Sequence, residues 1–241
     1  MQTSGGLFEN AGRNLAQLRR SPASWVLFGL VMAIHALVEI AGGVERVGGL
    51  YENLGLSREG FLAGKIWQIF SYGLLHGAWW HAGLNGLFVL LIGSRIEHAA
   101  GAGMLMKVAA AGVLGGGVFH LLLGNGLLVG MSGGCLAMLL LLVTLSPQSR
   151  MFPLPVSGRN LGIGILLAEL ILALMDPALG LPWMSVLGEK LVQQGQGAWF
   201  QMGHACHFGG GLAGWLCGRW ILRPRVTLAR LRRDRARREA E

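Results

Sequence analysis

Charged side chains are scarce in this chain of 241 residues. Asp, Glu, Lys and Arg together make up 13% of it, whereas hydrophobic residues make up 53%. The mean hydropathy is +0.52, and an ordinary soluble domain has about 25% charged residues. The shortage of charge excludes an ordinary soluble domain and predicts an all-α polytopic membrane protein.

Aspartate and cysteine are rarer still. Only Asp176 and Asp234 are present, and Asp234 lies in the basic C-terminal stretch. Because aspartyl proteases need two aspartates that face each other, this class of enzyme is excluded. The cysteines Cys135, Cys206 and Cys217 have no metal-type spacing, so we expect them to be small, buried, apolar residues.

Six apolar stretches are candidates to cross a hydrocarbon core about 30 Å thick, and the fourth of them is short. We place the spans at 24–43, 79–96, 102–123, 130–146, 160–178 and 203–222. The first stretch lacks a small-x-small cleavage signature, which favours a retained helix over a removed signal peptide. The predicted organisation is an N-terminal segment (1–23), a membrane domain (24–222) and a basic tail (223–241).

The positive charge is unevenly distributed along the chain. Nine of the 20 Lys and Arg residues lie between Arg219 and Arg238. With six spans and both termini inside, sixteen of the 20 are cytoplasmic, and the outer ones are Arg46, Arg58, Lys65 and Lys190. This bias predicts cytoplasmic termini in a bacterial inner membrane. We expect the tail to contact anionic lipid and not nucleic acid.

Polar residues occur in the first turns of the even-numbered spans, which all enter the membrane from the outer side in this topology. They are His81 and Asn85 in the second span, Ser132 in the fourth and His207 in the sixth. A serine nucleophile needs a base, and histidine has a suitable pKa. We therefore predict a Ser132–His207 dyad, with His81, Asn85 and the Ser132 N–H as donors to an oxyanion.

Glycines surround both members of the predicted dyad. Gly130 and Gly133 flank the serine and would let other backbone come close to it. Gly210, Gly214 and Gly218 repeat at every fourth residue of the sixth span and form a small-xxx-small ridge. This ridge is predicted to bring the sixth span against the fourth, and the histidine against the serine.

Four motifs in order resemble those of the rhomboid family of intramembrane serine proteases, within a core from 61 to 222. They are Trp67-Gln68, His76 with His81-Ala82-Gly83-Leu84-Asn85, Gly130-Met131-Ser132-Gly133, and His207-x-x-Gly210-x3-Gly214. Gln68 stands where the family has arginine. The resemblance implies a six-helix bundle with a short central fourth helix, in which Ser132 is the nucleophile, His207 the general base, and His81 and Asn85 the oxyanion donors.

The function implied by the resemblance is hydrolysis of peptide bonds in or near transmembrane segments of other membrane proteins. Its partners are those substrates and the lipid bilayer, and it needs no cofactor or metal. Loop 179–202 is implied to cap the site. The alternative is a non-catalytic rhomboid-like protein that binds transmembrane clients, which would be expected to lack Ser132 or His207.

Other ionisable residues lie within the predicted spans, where such groups mark functional candidates. His204-x-x-His207 has the spacing of a metal-binding pair, but no carboxylate lies near it in sequence, so no metal is expected. We expect His204 to face interfacial water. Glu169 is predicted to form a structural hydrogen bond to a neighbouring helix, although no partner is evident. Glu39 is four residues from His35 and is expected to pair with it.

Overall fold

The computed structural model describes residues 17–150, 156–223 and 228–240. Within these ranges the chain is mainly helical, and its only β-type pairings are two isolated bridges. Parts of the predicted N-terminal segment (1–16) and basic tail (224–227 and 241) lie outside the described residues. The α-helices are α1 (Pro22–Ile40), α2 (Gly43–Arg46), α3 (Gly48–Leu54), α4 (Arg58–Leu62), α5 (Gln68–Ser71), α6 (Trp79–Phe88), α7 (Ser94–Ala100), α8 (Ala102–Leu123), α9 (Ser132–Leu145), α10 (Gly158–Leu174), α11 (Met184–Leu191), α12 (His204–Ile221) and α13 (Leu228–Ala240).

Each of the six predicted spans coincides with helix in the structure: α1, α6 with α7, α8, α9, α10 and α12. A π-helical turn at Val89–Gly93 joins α6 to α7. Among the described residues, α1 and α8 are long and apolar enough to cross a membrane, and α9 is a shorter apolar helix of 14 residues. The count of six membrane crossings stays a prediction.

Several helix ends differ from the predicted boundaries where glycine or proline controls the backbone. Gly42 has a φ of 106°, so α1 ends three residues earlier than predicted. Gly130 has a φ of 114°, and α9 begins only at Ser132. Helix α10 ends at Leu174, shortly before Asp176-Pro177, because proline disfavours helical backbone in the residue that precedes it.

The short segments between α1 and α6 are tied together by buried polar side chains. Gln68 is fully buried; its Nε2 donates to the Glu52 carbonyl at 2.9 Å, and its Oε1 accepts from the Ser57 N–H at 3.3 Å. The Tyr51 hydroxyl donates to the His76 carbonyl at 2.6 Å. A neutral amide therefore anchors this loop at the position where the resembled motif has arginine.

The start of α1 is held by a buried carboxylate on α7. Glu97 is 8% exposed and accepts the backbone N–H groups of Ala23 at 2.9 Å and Ser24 at 2.8 Å, together with the Ser24 hydroxyl at 2.7 Å. These N–H groups have no partner within their own helix, and a negative charge is favoured at a helix N-terminus. Glu97 thus caps α1 from a distance of over 70 residues in sequence.

The centre of the molecule is the mutual packing of α8, α9 and α12, which glycines make possible. A β-carbon on Gly210 would lie 2.6 Å from the backbone of Gly133, and one on Gly214 would lie 2.5 Å from the Cα of Ala137. From α8, a β-carbon on Gly112 would also meet Gly133, at 2.7 Å from its carbonyl oxygen. The predicted contact between the glycine ridge and the serine-bearing helix is confirmed.

This packing predicts that a side chain cannot be added to the ridge of α12. We expect Gly214→Val to lower the free energy of unfolding by about 3 kcal/mol or more, because the new methyl groups meet backbone that cannot move aside. The measurement is the loss of helical circular dichroism during titration with denaturing detergent.

The matched control is Gly29→Val on α1, where a β-carbon meets nothing within 4 Å. This control should unfold close to the wild type, shifted only by the lower helix propensity of valine. Equal unfolding midpoints for the two variants would contradict the packing described here.

Candidate active site

A cavity of 380 Å³ lies where the N-terminal ends of α6, α9 and α12 meet. All four predicted reacting groups line it: His81, Asn85, Ser132 and His207. Phe200 and Met202, from the segment predicted to cap the site, line the same cavity. The structure therefore brings the sequence-predicted residues together around one space of a size that ligand sites commonly have.

The serine and the histidine are in direct hydrogen-bond contact. His207 Nε2 lies 2.9 Å from Ser132 Oγ, and the side chain of His207 is 17% exposed. Ser132 is the first residue of α9, and His207 lies in the first turn of α12. With His207 protonated at Nδ1, the Ser132 hydroxyl can donate to Nε2 at this distance, which is the geometry that a general base needs to take its proton.

Hydrogen-bond donors lie beside the serine. The N–H of Ser132 belongs to the first turn of a helix, so it has no intrahelical partner. Asn85 Nδ2 donates one hydrogen to His76 Nε2 at 3.0 Å; burial, and then the nearby His81, lower the pKa of His76 to about 4, so its ring is neutral. An amide NH₂ has two hydrogens, which leaves the second hydrogen of Asn85 for an acceptor in the cavity.

Gly130 is required both for its backbone conformation and for the space that it leaves. Its φ of 114° is a region that favours glycine, and its N–H donates to the Tyr72 carbonyl at 3.0 Å. A β-carbon here would lie 2.6 Å from Cε1 and Nε2 of the His81 ring. We predicted that Gly130 lets another part of the backbone come close. The group that comes close is instead the imidazole of His81.

The structure also places a carboxylate beside the histidine. Glu169 Oε2, on α10, lies 3.3 Å from His207 Nδ1 and 2.6 Å from His204 Nδ1. The predicted hydrogen bond from Glu169 to a neighbouring helix is confirmed, and its partner is His204. The expectation that His204 faces interfacial water is wrong, because this residue is 5% exposed and its Nε2 lies 2.8 Å from the Trp199 carbonyl.

Sequence spacing does not reveal this contact, because 35 residues separate Glu169 from His204. The sequence does indicate that Glu169 has a partner, because a charged residue within an apolar helix is costly unless it has one. The second predicted pair lies at ion-pair distance, with His35 Nε2 at 3.9 Å from Glu39 Oε1, which is too far for a hydrogen bond.

The same three side chains have the chemistry of a metal site. Glu169, His204 and His207 each offer a ligand atom, and these atoms lie within 4.8 Å of one another. The argument that no carboxylate lies near the two histidines is therefore wrong. The 2.6 Å separation between Glu169 Oε2 and His204 Nδ1 is that of a hydrogen bond, and Oε2 lies at ion-pair distance, 3.3 Å, from His207 Nδ1. We therefore assign the cluster to hydrogen bonding and ion pairing. The expectation of no metal stays a prediction.

The cysteines beside the dyad do not compete for the histidine. Cys135 and Cys206 are buried, as predicted, and Cys217 is half-buried. Cys206 Sγ lies 3.5 Å from the Tyr72 hydroxyl, on the side of α12 that packs against Gly116 and Gly133. The residue that faces His207 is the serine.

Comparison with known proteins agrees with the motifs. The Rhomboid domain family matches residues 63–224, which include every predicted site residue. Rhomboid-like protein 16, chloroplastic, from Arabidopsis thaliana is 36% identical over 101 residues. That match covers 41% of this chain but only 31% of the relative, and a chloroplastic relative does not support a bacterial inner membrane. Since the family match covers well over half of its length, the chain belongs to the rhomboid family of integral membrane proteins.

Proposed function

We propose that the protein is an intramembrane serine endopeptidase that hydrolyses peptide bonds in or near transmembrane segments of other proteins. The observation that carries this proposal is the 2.9 Å contact between His207 Nε2 and Ser132 Oγ at the wall of a cavity. Membership of the rhomboid family supports the same reaction class.

The bonds that form and break involve only the substrate, Ser132, His207 and one water molecule. Ser132 Oγ bonds to the carbonyl carbon of the substrate while its proton moves to His207 Nε2. The same proton passes to the leaving amine nitrogen as the C–N bond breaks, which leaves an ester on the serine. Water then attacks the ester and gives a proton to His207, which returns it to Ser132 as the carboxylic acid departs.

Each attack places negative charge on the former carbonyl oxygen. The Ser132 N–H, the second hydrogen of the Asn85 amide and the His81 ring are the donors that we assign to this oxyanion. Gly130 and Tyr72 fix the turn that precedes the serine, so these donors are in place before the substrate binds. Preorganised donors of this kind commonly stabilise the transition state more than any other group in the site.

The lengths of the helices support a site below the membrane surface. Helix α8 has 22 residues, and at about 1.5 Å per residue it is long enough to cross the bilayer core. Helix α9, with 14 residues, is about 21 Å long, so the helix by itself extends through only part of a core about 30 Å thick. If the two helices end at the same inner face, Ser132 lies within the bilayer and the cavity supplies its water from outside.

We further propose a six-span topology in which α1, α6 with α7, α8, α9, α10 and α12 cross the membrane and both termini lie on the positively charged inner side. The exposed arginines of α13 then lie beside anionic lipid. Localisation in a bacterial inner membrane stays a prediction from charge bias alone.

The catalytic proposal predicts that Ser132 reacts with a fluorophosphonate, which modifies only activated serines. In liposomes the wild type should be labelled, Ser132→Ala should not be, and His207→Ala should react at least about 10²-fold more slowly because the base is lost. In-gel fluorescence and peptide mapping of the adduct provide the measurement.

The matched controls are Ser149→Ala and His98→Ala, which remove an exposed serine and an exposed histidine and should react like the wild type. A folded wild type that stays unlabelled would overturn the protease proposal. In that case the favoured function would be binding of transmembrane clients without cleavage.

The topology predicts opposite accessibility for two engineered cysteines in a background without the three native ones. In sealed right-side-out vesicles, Lys190→Cys should react with a membrane-impermeant maleimide, and Arg237→Cys should react only after lysis. Both positions are exposed in the structure. Reaction of both without lysis, or the reverse order, would contradict the proposed orientation.

A further inference from the structure

Glu169 lies in direct contact with His207, and the proposed mechanism gives it no role. Its carboxylate is 19% exposed and lies between His207 and His204, outside the lining of the cavity. An acid in an apolar helix needs partners for its charge, and both of its partners are histidines of α12. The contact is therefore more specific than helix packing requires.

We propose that Glu169 is a positioning residue that orients His207 and fixes its tautomer, so that the protein works with a Ser–His–Glu chain and not with an isolated dyad. This inference rests on the proposed function. Glu169 does not touch the substrate; it acts through the imidazole of His207.

The positions of the hydrogens follow from the donors and acceptors. The proposed mechanism needs the Ser132 hydroxyl to donate to His207 Nε2, which requires that neutral His207 is protonated at Nδ1. Glu169 Oε2 lies 3.3 Å from Nδ1, and we assign it as the acceptor of this hydrogen. Rotation of the ring or a change of tautomer would then break a hydrogen bond to a partly buried carboxyl group.

His204 keeps Glu169 in this position. Because a carbonyl can only accept, His204 Nε2 donates to the Trp199 carbonyl at 2.8 Å. Its Nδ1 then shares a single proton with Glu169 Oε2 at 2.6 Å, either as histidinium with carboxylate or as imidazole with carboxylic acid. Both forms of this pair are neutral overall, which removes most of the cost of holding an acid within the bilayer.

The arrangement also has a role during the reaction. When His207 takes the serine proton it becomes a cation, and both of its N–H groups then need acceptors. Glu169 accepts at Nδ1 throughout, while Nε2 delivers its proton to the leaving amine. A third group that orients and stabilises the base in this way is the general logic of serine hydrolase triads.

The test compares two substitutions at Glu169 with a control in the same outer part of the chain. Glu169→Leu removes the acceptor and suits the bilayer, whereas Glu169→Gln keeps an acceptor and removes the carboxyl group. The control Glu189→Gln makes the same change at an exposed residue of α11. The measured quantities are the limiting rate of fluorophosphonate labelling in liposomes, the half-saturating probe concentration and the thermal unfolding midpoint.

We expect Glu169→Leu to lower the limiting rate by about 10²-fold and Glu169→Gln by about tenfold, with Glu189→Gln within about twofold of the wild type. The half-saturating concentration should change little in any variant, because Glu169 does not line the cavity. Unfolding midpoints close to that of the wild type would separate this effect from a structural one. Wild-type rates in both Glu169 variants would overturn the inference while the dyad remained established.

A second measurement does not depend on activity. Nitrogen-15 spectra of histidine-labelled protein, assigned with His207→Gln, should show neutral His207 protonated at Nδ1 in the wild type and a changed tautomer in Glu169→Leu. An unchanged spectrum in Glu169→Leu would overturn the inference even if no serine reacts. Loss of labelling after EDTA treatment would also overturn it, because the three side chains would then hold a metal ion.

Discussion

The backbone contact between α9 and α12 is the constraint on which the rest of the site depends. Gly210 rests on Gly133, where no β-carbon fits. Because Ser132 immediately precedes Gly133 and His207 lies three residues before Gly210, this single contact sets the serine against the histidine. Small residues let membrane helices approach closely where the hydrophobic effect provides no drive for association, and here the same closeness sets a reacting distance.

Several of the buried polar side chains are paired, which lowers the cost of burying them. Glu97 caps α1, Asn85 binds His76, and Glu169 lies between two histidines. Of the four predicted reacting residues, His81 is the one without a hydrogen-bond partner in the part of the chain that the structure describes. Because its ring has no partner within the protein, His81 is suited to donate a hydrogen bond to an oxyanion that forms on the substrate.

The sequence predicts local features well and distant contacts poorly. Apolar length locates all six helical segments, and the motifs predict the Ser132–His207 contact and the glycine ridge. The helix ends at Gly42 and Gly130 depend on single backbone angles that hydropathy does not report. The environments of Glu169 and His204 depend on how α10 packs against α12, and no spacing within either helix indicates that.

The structure of the phosphonylated protein would test the central claim most directly. The account predicts a bond from phosphorus to Ser132 Oγ, with the phosphonyl oxygen within about 3.2 Å of the Ser132 nitrogen and of donors on Asn85 and His81. A phosphonate on any other residue, or a phosphonyl oxygen turned away from both side chains, would contradict the assignment of this cavity as a serine protease active site.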